Sequence, residues 1–235
     1  MPVNFLMRKQ PVQLRRYVDR YAEINARCQG KRVLHLGCVG FTDCLIEDKI
    51  LLARQSLHQR LTEIADCVGI DLDKETVDQL QKRGVFQNVM VGDAERLDAL
   101  PVKLELFDIV VAGDIIEHLS NPGKMLDGIK RLLKPNGCLL LSTPNSMGLP
   151  AYLRYVTGRF HEGLQHVLCF NPITLAQLLQ RHGYYVAESF SCHERNAQAA
   201  HGLLFGAGKA FLQCFPKLGG TLLFVAQVGP APNGN

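Results

Sequence analysis

The sequence predicts an α/β fold: a mostly parallel sheet covered by helices on both faces. Three observations carry that prediction. Between Lys31 and His182, apolar runs of strand length alternate with segments whose apolar residues recur at helical spacing. Seven runs have strand character: RVLHL, CVGID, NVMV, FDIVVAG, CLLLSTPN, YYVAESF and GTLLFVAQV. The first of them empties into a glycine-punctuated turn, VLHLGCVG, as a parallel strand does before its covering helix.

Each element follows from local pattern. Leu14 to Cys28 reads as an amphipathic helix with Leu14, Val18 and Tyr21 on one side, ended by Gly30. After the first strand, Thr42 and Asp43 offer cap chemistry for a helix running to about Arg54. A second helix follows in LHQRLTEIA, where Leu57, Leu61 and Ile64 share a face and His58 is read on the solvated side. CVGID closes at Asp71, a helix spans Lys74 to about Arg83, and Gly84 stops it. NVMV leads into GDAERL, and FDIVVAG empties into DIIEHLSNP. Asn121 and Pro122 cap and start a helix carrying Met125, Leu126, Ile129, Leu132 and Leu133, which ends at KPNG. NPITLAQLLQRHG is another helix with Pro172 at its start. The expected organisation is one domain over 1–235, with the N-terminal helix at 14–28, a substrate cap at 146–170 and an insertion at 192–218.

Composition narrows the function. At 235 residues and 47% hydrophobic, the chain can bury one sizeable core. Its net charge is +4, but Lys and Arg are interspersed with acids, so no nucleic-acid partner is expected. Eight cysteines form no C-x-x-C pair and no zinc-spaced Cys/His cluster. They read as reduced, buried thiols of a cytoplasmic protein, and no metal is expected. MPVNFLMRKQ lacks the sustained apolar stretch of a secretory signal. The apolar tract from His201 reads as core helix then core strand; an interfacial surface for a lipid-like substrate, with peripheral membrane contact, is the alternative.

The chemistry concentrates at the strand ends. A glycine turn there brings backbone N–H groups close to a nucleotide-like ligand. Asp71 ends the second strand, where a carboxylate can accept hydrogen bonds from ribose hydroxyls. Asp93 follows the third, where it can accept from an adenine amino group. Each is also a plausible helix cap. The words VLHLGCVG, GIDLD, GDAERL, FDIVVAGDIIEHLSNP, LLKPNGCLLLSTPN and HVLCFNPITLAQLLQRHGY, in that order, resemble the class I S-adenosylmethionine-dependent methyltransferases. The resemblance implies a Rossmann-like, seven-stranded sheet whose last strand is antiparallel, and S-adenosyl-L-methionine as cofactor. It also implies that Gly37, Cys38 and Gly40 line the methionine and ribose, that Asp71 with Leu72 binds the ribose, that Asp93 and Ala94 border the adenine, and that Gly113 and Asp114 lie near the methionine. Two departures stand out. His35 occupies a position where the family commonly has an acid that holds the cofactor amino group, and Val39 and Phe41 stand where further glycines are common. Branches of the family acting on sugar or lipid-linked acceptors are similar in outline.

A sulfonium methyl is already activated, so alignment is the main task, and orientation supplies about 7–11 kcal/mol. A hydroxyl acceptor gains about 10²–10⁴-fold from a base. DIIEHL places Asp114 and His118 four residues apart, on one face if the turn is helical, with Glu117 beside them. His118 is the expected base, Glu117 the orienting or substrate-binding acid, and His166 a contact from the cap; His161 lies in the same irregular segment. Arg15, Arg16 and Arg20 read as surface charge, with a guanidinium reaching the methionine carboxylate as the other reading. The expected function is O-methylation of a small-molecule, sugar or lipid-linked acceptor. Its rivals are a catalytically silent cofactor-binding or scaffold protein and, given the missing G-x-G-x-x-G, more remotely an NAD-dependent oxidoreductase.

Overall fold

A computed structural model describes residues 12–40, 44–100, 104–159, 163, 165–193 and 203–229, with 203–207 and 209 as backbone. Phe41, Thr42, Asp43 and His161 lie outside the described residues, as does part of the predicted insertion. The chain runs β1 (Tyr17–Asp19), α1 (Arg20–Cys28), β2 (Arg32–Leu36), α2 (Ile46–Ala53), α3 (Leu57–Ile64) and β3 (Asp66–Asp71). It continues through α4 (Lys74–Lys82), β4 (Val89–Val91), a 3₁₀ segment Ala94–Ala99, β5 (Phe107–Gly113) and a 3₁₀ turn Ile116–His118. Then come α5 (Pro122–Leu132), β6 (Leu133–Pro144), α6 (Leu149–Val156), α7 (Pro172–Arg181), β7 (Tyr184–His193), α8 (Leu203–Cys214), a 3₁₀ turn Pro216–Leu218 and β8 (Thr221–Val228).

The strands form one sheet in the order β1-β7-β8-β6-β5-β2-β3-β4. Only β8 runs antiparallel to its neighbours, β6 and β7, as the α/β prediction required. The sheet has eight strands rather than seven. The eighth, β1, is cut from the start of the predicted 14–28 helix. Tyr17 and Val18 are strand formers and pair in parallel with Ser191 and Cys192 at the sheet edge. Asp19 then caps α1 by accepting from the Ala22 N–H at 3.0 Å.

Strand alternation sorts the core into two faces. Leu34 and Leu36 of β2, with Val110 and Ala112 of β5, pack under Met125, Leu126 and Ile129 of α5 and Leu175 and Leu179 of α7. Val33, Ile109 and Val111 point the other way, against Ile24 and Cys28 of α1 and Leu57 and Leu61 of α3. Each such side chain removed from water contributes about 1.5–3 kcal/mol. His35 shares the parity of Val33, so it faces α3 and meets His58 there, ring centroids 5.5 Å apart. His58 is therefore buried and not on a solvated face: it sits three residues before Leu61 on the inward side of α3. Burial pushes its pKa down to about 4 and holds that of His35 well below the usual value.

Candidate functional site

The turn after β2 is fastened to the end of β3. Gly37 N–H donates to the Ile70 carbonyl at 2.9 Å, and Val39 N–H donates to Asp71 Oδ2 at 2.8 Å. Gly37 and Gly40 both have φ of +71°, which a side chain would strain, and a Cβ on Gly37 would stand 3.3 Å from Ile115 Cδ1. Val39 does not occupy the rim. Its side chain is buried with Ile50, Ala53, Val77 and Leu80 beneath α2 and α4. Cys38 is likewise buried, so this residue offers a ligand its backbone rather than its thiol.

Asp71 is half-buried at the end of β3, and its second oxygen accepts from Asp73 N–H at 3.0 Å. A carboxylate has about four acceptor positions, so two backbone donors leave room for ribose hydroxyls. Asp93 caps the 3₁₀ segment by accepting from Glu95 N–H at 2.8 Å, and Ala94 is buried beside it. Leu72 is 71% exposed. Because β5, β2, β3 and β4 are neighbours in that order, Gly113, the glycine turn, Asp71 and Asp93 follow one another along one edge.

The chain after β5 does not continue as a helix. Asp114 has φ of +49°, its N–H donates to the Ser142 carbonyl at 3.0 Å, and the 3₁₀ turn starts only at Ile116. Asp114 and His118 consequently do not share a helical face. The Asp114 carboxylate is held by Arg20 and by the Ser142 hydroxyl, which donates to Oδ1 at 3.1 Å. Arg20 is 6% exposed, whereas Arg15 and Arg16 are surface residues. Reading Arg20 as surface charge fails because β1 ends at Asp19 and turns the first residue of α1 inward, against the end of β5.

His118 and His166, 48 positions apart in the sequence, come together with their rings edge to face and centroids 4.7 Å apart. The Glu117 carbonyl accepts from both Val167 N–H at 2.9 Å and Leu168 N–H at 3.1 Å, which clips the segment carrying His166 onto the turn. Glu117 itself is 1% exposed, and its Oε2 accepts from the Thr143 hydroxyl at 2.9 Å. Burial, then the Asp114 charge, raises the Glu117 pKa to about 8. Burial, then His166, lowers that of His118, so its imidazole is neutral at neutral pH. A pocket lies here, lined by Glu117, Thr143, Asn145, Arg154, His166 and Phe170 among others. Pattern reading did not find Thr143, Asn145 or Arg154; the polar STPN at the end of an apolar strand was the signal for the first two, and Arg154 on α6 had none.

The glycine φ values, the open acceptor positions of Asp71 and the part-buried Arg20–Asp114 pair suit an amino-acid nucleoside cofactor along the edge. Residues 7–189 match the family model of a methyltransferase domain. The chain therefore belongs to the class I S-adenosylmethionine-dependent methyltransferase family. It is 28% identical over 210 residues to a probable S-adenosylmethionine-dependent methyltransferase of Mycolicibacterium smegmatis, covering 89% of this chain and 68% of that one. It is 30% identical over 137 residues to the ubiquinone biosynthesis O-methyltransferase of Haemophilus ducreyi, covering 55% of this chain and 51% of that one. The chain thus spans about half the length of the ubiquinone-pathway relatives it matches. A methyltransferase structure from Thermotoga maritima, described as a possible histamine N-methyltransferase, shares the fold at a TM-score of 0.55 and 15% identity, covering 88% of this chain and 87% of that one. Among the described residues no helix is long and apolar enough to cross a membrane.

Proposed function

We propose that this methyltransferase acts on a hydroxyl oxygen of a small-molecule, sugar or lipid-linked acceptor, received in the pocket beside Glu117 and His166. The observation that carries this reading is the convergence of Glu117 and His166 on that pocket, with His118 packed edge to face against His166, one strand end beyond Gly113.

When bound, S-adenosylmethionine supplies a methyl group activated on a sulfonium. Gly37, Cys38 and Gly40 border its methionine and ribose, Asp71 accepts from the ribose hydroxyls with Leu72 beside it, and Asp93 and Ala94 border the adenine. Arg20 is placed to meet the methionine carboxylate, and Gly113 and Asp114 lie by its amino group. Asp114 thereby supplies the acid that His35 does not. His118 is the proton acceptor: its Nδ1 faces the Gln165 carbonyl at 3.2 Å, which keeps the proton on that nitrogen and leaves the lone pair on Nε2. Glu117, protonated at neutral pH, orients the hydroxyl, and His166 completes the wall. The described residues of segment 146–170 cap the pocket, and its two ends are pinned by Ser146 N–H donating to the Phe170 carbonyl at 2.9 Å. On its helix α6, Tyr152, Leu153, Tyr155 and Val156 are all more than half exposed, which favours an acceptor with an apolar portion and a peripheral membrane contact. The ubiquinone-pathway relatives, O-methyltransferases by name, support oxygen as the target.

Incubating the protein with methyl-labelled cofactor and fractionated cell extract tests this. The expected product carries label as a methyl ether. Label on nitrogen, or cofactor binding with no transfer to any fraction, overturns it; the latter favours a silent cofactor-binding protein.

A further inference from the structure

We infer that Glu117, His118 and His166 form a binding site for a divalent transition-metal cation. Their ligand atoms all lie within 4.8 Å of one another, drawn from the 3₁₀ turn after β5 and from the segment before α7. Metal–ligand bonds of about 2.0–2.2 Å place neighbouring donors roughly 3–3.5 Å apart, so side-chain rotations that shift the donor atoms by about 1 Å close the set.

The second observation is Glu117 Oε1. It is buried and has no hydrogen-bond partner, while Oε2 of the same carboxyl takes the Thr143 hydroxyl. The imidazole of His166 stands off, its Nε2 4.0 Å from Oε1 and beyond hydrogen-bond reach. A carboxyl oxygen left that way is costly in a structure that satisfies the other oxygen so well, and a cation between Oε1 and the imidazole would satisfy it.

The surroundings are those a ligand set needs. The contact of His118 Nδ1 with the Gln165 carbonyl fixes the tautomer and leaves the Nε2 lone pair for a cation, as an outer partner does for a metal-bound histidine. The paired N–H groups of Val167 and Leu168 on the Glu117 carbonyl hold the two segments in register. Two imidazoles and one carboxylate suit Zn²⁺, Mn²⁺ or Fe²⁺ better than Mg²⁺ or Ca²⁺, which favour all-oxygen sites. Three protein ligands leave open positions toward the pocket, where an acceptor hydroxyl would coordinate. That last role rests on the proposed hydroxyl acceptor and turns His118 from proton acceptor into ligand; the cation site itself does not depend on it, and Glu117 releases its proton to solvent as the cation binds.

Titrating the chelator-stripped full chain with Zn²⁺ and Mn²⁺ by calorimetry, and with Co²⁺ by visible absorption, tests the site. One cation per chain is expected, weakened at least about tenfold by Glu117→Gln and by His166→Gln, and unchanged by His182→Gln. Circular dichroism melts report which variants fold, and His118→Gln serves if either fails. No binding, or binding of equal strength in the folded variants, overturns the site and assigns any residual affinity to cysteines elsewhere. Methyl transfer by the stripped protein would still stand in that case, so failure here is separable from failure of the proposed reaction.

Discussion

The two ends of the proposed reaction are built differently. Along β2, β3 and β4 the proposed cofactor edge is made of backbone: glycines at positive φ, turn amides tied to the end of β3, and carboxylates at strand ends. Past β5 and β6 the pocket is made of side chains borrowed from distant segments, Glu117 from one turn, Thr143 from a strand, His166 from the cap, with His118 packed on His166. A backbone site tolerates change in its neighbours but not in its own residues, while a side-chain site can be altered one function at a time.

That contrast is broken or sharpened by substitution. The largest effect is expected from His118→Ala, which lowers turnover by about 10²–10⁴-fold while S-adenosylhomocysteine affinity stays within about twofold. Steady-state rates beside calorimetry check it, and a matching loss of affinity would merge the two regions. Next is Asp71→Asn, which removes a charged acceptor worth about 1.5–3 kcal/mol and so weakens cofactor binding by roughly 10–150-fold. Unchanged affinity in the folded variant would detach Asp71 from the edge.

A smaller effect reads the scaffold beneath the edge. His35 and His58 are neutral in the fold because burial lowers their pKa values, that of His58 to about 4. The unfolded chain binds protons below about 6.5 where the folded chain does not, so stability is full above that pH and falls as pH drops toward 4. Each histidine adds a slope of about 1.4 kcal/mol per pH unit, and His58→Leu should flatten the curve measured by denaturant titration. The smallest effect is expected from Tyr152→Ser on α6, which changes stability by less than about 0.5 kcal/mol because the ring is 58% exposed. A shift in acceptor KM without a shift in cofactor affinity would keep the cap on the side-chain half.

Legibility in the sequence follows the same division. VLHLGCVG announced its turn because positive φ demands glycine locally, and alternation announced the strands because burial has a period of two. The inward Arg20 was hidden because its placement depends on three residues ahead of it joining the sheet edge, a long-range pairing with β7 that no local pattern encodes. His58 was hidden because a helix face broad enough to cover the sheet also covers the residue beside its apolar stripe. The helical reading of DIIEHL failed at one dihedral, the positive φ of Asp114, which is uncommon for a residue other than glycine. His166 was nameable as a cap histidine, but its partnership with His118 rests on two backbone hydrogen bonds across the chain.

The grip of Arg20 on Asp114 spans 94 positions, and Ser142 lies 28 further on. During synthesis the guanidinium emerges long before either partner, and it must wait for most of the parallel half of the sheet. A nascent fragment ending ahead of Phe107 carries that cation without its acid, so the proposed methionine end of the site is completed late in the growing polypeptide.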